Sequence, residues 1–306
     1  MSWFPVPETI PSRVFTRLPD ELRRPKRTLW ADYNKGGAAA DSFLEGPSFD
    51  RHGNLYVTDI PHGRIFRIDR AGSWTLVAEY DGWPNGLKIA GDGRIFITDY
   101  KLGLMQLDPA GGRVAPFYTH VRSESFKGVN DLVIAANGDI YFTDQGQTGL
   151  QDPSGRVYRL TRDGRLERLI DTCPSPNGIA LDPTESWLYV ALTRACQVWR
   201  MPVTADAVTS KVNVFVHTPG GTSGPDGLAV DEAGGLAIAN PGHGSVWLVD
   251  KAGVPRFRVV SCAGQAITNV AYDPADLNRL VFTDSDTGQV LEAHVPVRGH
   301  LLASHR

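Results

Sequence analysis

Six residues that carry a side-chain oxygen recur along this chain at intervals of 40, 45, 47, 49 and 43 residues: Glu45, Asn85, Asn130, Asn177, Asp226 and Asn269. Brought together in a narrow space, two carboxylates and four amide carbonyls would be poor structure on their own, because partly buried carboxylates repel one another and lose hydration. The same set suits a hard divalent cation, which takes its ligands from carboxylate and amide oxygens. Glu45 and Asp226 would balance the charge of such an ion, and the asparagines would complete its shell. The eight histidines are scattered and give no zinc-like pair. Asparagine and aspartate before glycine also form turns, so for Asn85 and Asn269 a turn-capping role is the competing reading.

Such convergence requires a fold that returns to one axis six times, and the sequence repeats accordingly. The segments NGLKIAGDGRIFITDY from Asn85 and NDLVIAANGDIYFTDQ from Asn130 show the unit. A short apolar strand meets a Gly/Asp turn, a β-rich strand follows, and two alternating strands lead to the next copy. Repeats of this size match the four-stranded blade of a propeller. The reading is all-β: one six-bladed β-propeller domain over residues 1–306, with six repeats over 45–297. In a propeller the first strand of each blade lines the central channel, which aims the six oxygen-bearing residues at the axis. The sixth repeat shows three strands only. The strand-like Arg13 to Leu18, within the extension 1–44, is therefore expected to complete the last blade and close the ring. Residues 19–41 read as a connector and 298–306 as a tail.

Aspartates recur after threonine at the end of the second strand: Asp59, Asp99, Asp144 and Asp284. Four copies favour a structural role, each holding the loop of its own blade by accepting backbone N–H bonds. Loops joining second and third strands share the face of the oxygen ring and supply His62, Tyr100, Gln145, Gln147, Arg194 and His243 as candidate pocket walls. For His62 and His243 the plainer reading is a surface histidine. The longest of these loops, Gln145 to Gly155, is the candidate substrate cover. Lys127 would add positive charge at the rim, against the plainer reading of a solvated lysine.

Composition excludes several classes. A net charge of -3 gives no electrostatic reason to bind nucleic acid or an anionic membrane. No apolar run reaches membrane-spanning length. Three cysteines without C-x-x-C spacing read as buried reduced thiols rather than a disulfide framework. The leading Met-Ser-Trp-Phe-Pro-Val-Pro lacks the pattern of a secretory signal, and the expected location is the cytoplasm. No G-x-S-x-G, Walker A or G-x-G-x-x-G motif is present, so serine-nucleophile and nucleotide chemistry are not expected.

At Leu44-Glu45-Gly46-Pro47, Val129-Asn130-Asp131, Ser175-Pro176-Asn177-Gly178 and Gly224-Pro225-Asp226-Gly227 the chain resembles the regucalcin/gluconolactonase family of six-bladed propellers. The resemblance spans about Leu44 to Pro296. It implies one divalent ion, Ca²⁺ first, with Zn²⁺, Mn²⁺, Mg²⁺ or Fe²⁺ as alternatives. It places the ion on Glu45, Asn177 and Asp226, with Asn130 near both ion and substrate. It also implies Asp226 as general base in hydrolysis of a small lactone. Several sugar lactonases of the family carry an arginine where this chain has Gly128, with Lys127 one residue further back, which separates the metal site from sugar specificity. Asn130, Lys127, Asn85, Gln147, His62, His243 and Asn269 are the candidate substrate contacts. An organophosphate or aryl-ester hydrolase on the same site, and a non-catalytic calcium- or partner-binding propeller, remain the alternatives.

Overall fold

The computed structural model describes residues 6–207 and 209–305; part of the N-terminal segment read above as lacking a leader lies outside them. The chain is nearly all β, with six antiparallel sheets arranged as the blades of one propeller, as expected. The inner strands are Leu44–Phe49, Pro84–Ile89, Val129–Ile134, Pro176–Leu181, Leu228–Val230 and Ile267–Asp273.

The apolar runs of the second strands follow from where each blade sits. A blade is packed on both faces, so neighbouring residues of one strand must both be apolar. In Ile95–Asp99, Ile95 and Ile97 pack with Tyr56 and Ile65 of blade 1. Phe96, between them, packs with Leu132 and Phe142 of blade 3.

Ring closure uses the N-terminal segment, as the strand count required. Arg13–Arg17 pairs antiparallel with Gln289–His294 and supplies the outer strand of blade 6. Leu18, fully buried, shares a core with Val57 and Phe66 of blade 1 and Val281 and Val290 of blade 6. A second contribution was not foreseen: Glu8–Pro11 adds a fifth, parallel strand to blade 5 along Pro255–Val260. One segment thus covers the outer edges of two neighbouring blades, which removes exposed edges.

Two segments gain definition, and the expected burial of all three thiols needs correction. In the connector, Thr28 accepts a bond from the Ala31 amide and caps a short helix, α1, Leu29–Asn34. The tail is bound. Gly299 donates to Leu277 O (2.7 Å), His300 to Val230 O (3.0 Å), and His305 Nε2 meets Phe49 O (3.0 Å), so it crosses the far end of the shaft. Of the cysteines, all free, Cys173 is buried but Cys262 is exposed, in the turn after the strand Pro255–Val260.

Removing residues 1–17 should strip the outer strand from blade 6 and the added strand from blade 5. We expect thermal unfolding to broaden and the midpoint to fall by roughly 10 °C or more. A truncated chain that melts as sharply and as high as the full one would rule out closure by this segment.

Candidate functional site

The dipeptide at the end of the second strand positions the ring, and both residues act. The aspartate works within its blade: Asp59 accepts from Phe43 N (2.7 Å), Asp99 from Trp83 N (2.9 Å) and Asp144 from Gly128 N (2.8 Å). Each of these amides lies two residues before Glu45, Asn85 or Asn130. The threonine works between blades. Thr58 Oγ1 donates to Asn85 O (2.6 Å), Thr98 Oγ1 to Asn130 O, and Thr143 Oγ1 to Asn177 O (2.8 Å). Asn85 and Asn130 are thus held both by their own blade and by the preceding one. The expected structural role of the aspartates holds; the threonines' part was not read from the sequence.

Glycine follows where inner strands crowd. A side chain at Gly46, which has φ +56°, would meet Asn85 O at 2.6 Å, and one at Gly227 would meet Asn269 Oδ1 at 2.1 Å.

Glu45, Asn85, Asn130, Asn177 and Asp226 are all buried and together line one cavity of about 380 Å³ at the mouth of the shaft. The sixth ring member is Thr268, not Asn269. Strand pairing puts Ile267 opposite Asp284 as Leu44 is opposite Asp59, so Thr268 is the counterpart of Glu45. Asn269 falls one residue deeper, where its Nδ2 donates to Glu45 Oε2 (2.9 Å). The other units carry their oxygen residue directly before Gly46, Gly86, Asp131, Gly178 and Gly227, and Asn269 takes the place of that following residue.

The side chains are oriented by their hydrogen bonds. Glu45 Oε2 accepts from both Gly46 N and Asn269 Nδ2, each at 2.9 Å, which leaves Oε1 to the cavity. Asn130 Nδ2 donates to Gln145 Oε1 (2.9 Å), and Asn177 Nδ2 to Thr193 Oγ1 (3.1 Å). Their carbonyl oxygens are the groups left unspent. Asn85 Oδ1 is buried and has no hydrogen-bond partner among the described residues. A buried acceptor without a donor costs free energy, about 1–3 kcal/mol, unless something else occupies the position.

The electrostatics point the same way. Burial pushes Glu45 up to about 7, partly offset by the Gly46 and Asn269 bonds, while the charge of Asp131 adds to the rise. Asp226 is raised well above its ordinary value, by burial first and then by the charges of Glu45 and Asp131. A divalent cation among these oxygens would relieve both costs, and the donor set fits a hard ion. Among the described residues no three His, Cys, Asp or Glu side chains converge as an ion-holding group, so an ion here would depend on amide oxygens.

The walls differ from the sequence reading. Tyr100, Gln145 and Arg194 line the cavity as expected. His62 and His243 do not: their Nε2 atoms meet the main-chain oxygens of Ala40 and Gly220. Gln147 holds the Tyr100 hydroxyl (3.0 Å), and Lys127 reaches Ser154 Oγ on the rim. The loop after Gln145 is pinned by Thr148, which bonds Gln145 O and Ser175 N. The missed wall is the helix α1 and its flanks, Trp30, Asn34, Lys35 and Phe43, joined by Ile60. Trp30 packs on Phe43 with ring centroids 4.8 Å apart, and the Lys35 ammonium lies 4.7 Å from the Phe43 ring. The signal available was Thr28 as a cap before Leu29-Trp30-Ala31.

A carboxyl whose value rises on folding stabilises the fold below its unfolded value, and that contribution is lost as pH climbs through the folded one. With chelator present, the melting temperature should therefore fall between pH 4.5 and about 7, the window for Glu45. Glu45→Gln should reduce this slope. An identical slope in the variant would show that Glu45 does not carry the buried charge.

Residues 43–286 match the profile of the SMP-30/Gluconolactonase/LRE-like region. Lactonase drp35 of Staphylococcus aureus (strain MRSA252) is 30% identical, over 77% of this chain and 74% of its own length. Diisopropyl-fluorophosphatase of Loligo vulgaris is 28% identical, over 75% of this chain and 82% of its own. Among solved structures, a calcium-binding protein, regucalcin, of Agrobacterium tumefaciens strain C58 superposes with a TM-score of 0.78 at 22% identity, covering 98% of this chain and 100% of its own. A gluconolactonase of Xanthomonas campestris gives 0.74, also at 22% identity, over 94% and 99%. The profile match over most of the chain, together with the lactonase relative, shows that this propeller belongs to the SMP-30/gluconolactonase/LRE-like family.

Proposed function

We propose that the chain is a divalent-cation-dependent hydrolase of a small cyclic ester. The observation that carries this reading is the set of side-chain oxygens on Glu45, Asn85, Asn130, Asn177 and Asp226 lining one open cavity, with Asn85 Oδ1 buried and unpartnered among the described residues. Glu45, Asn177, Asp226 and Asn130 would hold the ion, which when bound supplies Lewis acidity toward an ester carbonyl and steadies the two carboxylates in their charged form. Ca²⁺ suits an all-oxygen shell best, and the name of the regucalcin structure agrees with it.

The chain's own residues would do the rest. Asp226, buried in the ring, accepts a proton from the attacking water. The water oxygen bonds to the acyl carbon and the ring C–O bond breaks. Asp226 then returns the proton to the departing alkoxide, so a lactone and water give a hydroxy acid. The Asn130 amide, braced by Gln145, orients the substrate. Trp30, Phe43 and Ile60 keep water from one side of the cavity, and Arg194, exposed at the rim, faces the carboxylate that forms.

The diisopropyl-fluorophosphatase relative favours a second reading, hydrolysis of a phosphoryl ester at the same oxygens. Parallel assays on γ- and δ-lactones, aryl esters and phosphotriesters distinguish the two. Chelation should lower lactone hydrolysis by about 100-fold or more, with recovery on adding Ca²⁺. Asp226→Asn should lower kcat by roughly 10²–10⁴ while the fold is kept. Hydrolysis that survives exhaustive chelation would end the cation-dependent reading.

A further inference from the structure

Below the oxygen ring lies a charge pair that the proposed reaction does not use. Asp131, on the inner strand of blade 3, is almost fully buried, and Lys88 Nζ of blade 2 lies 3.9 Å from its Oδ1. Lys88 is the counterpart of Ser48, Val133, Ala180, Ala229 and Ala271 on the other five inner strands, all of which line a small cavity above the C-terminal tail. It is therefore the single charged side chain in a layer of small residues. Asn269, at the position in blade 6 that Asp131 holds in blade 3, donates to Glu45 Oε2 (2.9 Å) just above this layer.

We infer that Lys88 is a positioning residue that sets the charge of the cation site: it neutralises Asp131 from within, leaving Glu45 and Asp226 to balance one divalent ion. The inference rests on the cation-binding reading above. Without Lys88, three buried carboxylates would share the shaft, and the excess negative charge would favour an ion of higher charge or a second cation. Without the Asp131 charge, Lys88 would instead repel a cation from the ring. A lysine needed only for packing would do neither.

The test is calorimetric titration of the full-length protein with Ca²⁺ and with Tb³⁺. Wild type should take up one equivalent of either. Lys88→Met should raise the Tb³⁺-to-Ca²⁺ affinity ratio by about tenfold or bind a second equivalent, the scale set by removing one unit charge within about 10 Å at an effective dielectric near 20. Asp131→Asn should move the ratio the opposite way and weaken Ca²⁺ by about 100-fold, since the ion carries two charges. The isosteric double variant Lys88→Met/Asp131→Asn, charge-neutral like the native pair, should return the ratio to that of wild type. Should Lys88→Met fail to fold, the other two variants still decide. One equivalent with an unchanged ratio in each single variant that folds would overturn the role of Lys88 and leave the cation reading standing. A wild-type chain that binds neither ion would overturn both.

Discussion

Burying like charges is the constraint around which this molecule is arranged. Glu45, Asp131 and Asp226 lie within a shaft where desolvation opposes ionisation, and the charges of Glu45 and Asp131 raise the proton affinity of Asp226 further. A protein keeps such a group only if a counter-charge meets it or if the strain is functional. Here the compensation is divided. Lys88 faces Asp131 from below, Asn269 and Gly46 bind one oxygen of Glu45, and the remaining oxygens open onto the mouth.

The propeller meets this constraint through a lattice of short hydrogen bonds rather than through the sheets alone. In four blades an aspartate at the end of the second strand fixes the segment that introduces the inner strand, and in the first three the threonine beside it bonds the inner strand of the next blade. Thr193 extends the pattern to blade 5 by donating to Pro225 O at 2.8 Å. Ser285 and Thr268 close it by bonding Leu44 O. Each such bond contributes about 1 kcal/mol, yet each also fixes the direction in which a ring oxygen points. Stability and site geometry therefore depend on the same contacts.

Much of the fold was legible in the residues. Period, turn chemistry and the missing outer strand together implied six blades closed by Arg13–Arg17, because a blade buried on both faces needs continuous apolar strands and an unpaired edge needs a partner. Five of the six ring positions were legible for a similar reason: each precedes a glycine or aspartate at the same point of its repeat. The sixth was not, because blade 6 has two polar residues in succession, Thr268 and Asn269, and only strand pairing separates them. The parallel strand Glu8–Pro11 escaped because parallel pairing leaves no turn in the sequence. The wall built by α1 escaped because six residues are too few to show helical periodicity.

Local chemistry repeats with the chain, so the sequence by itself determined the blade count, the order of strands within a blade and most of the residue types offered to the axis. Which of those residues face one another is a long-range matter. Glu45 and Asn269 are 224 positions apart and share a hydrogen bond, and Lys88 meets Asp131 across two blades. Tertiary structure alone decided which amide oxygens stayed unspent, which carboxylate received an internal counter-charge, and which cavity the N-terminal helix would enclose. The physical reason is that burial and charge coupling depend on three-dimensional proximity, which the order of residues along one strand does not encode.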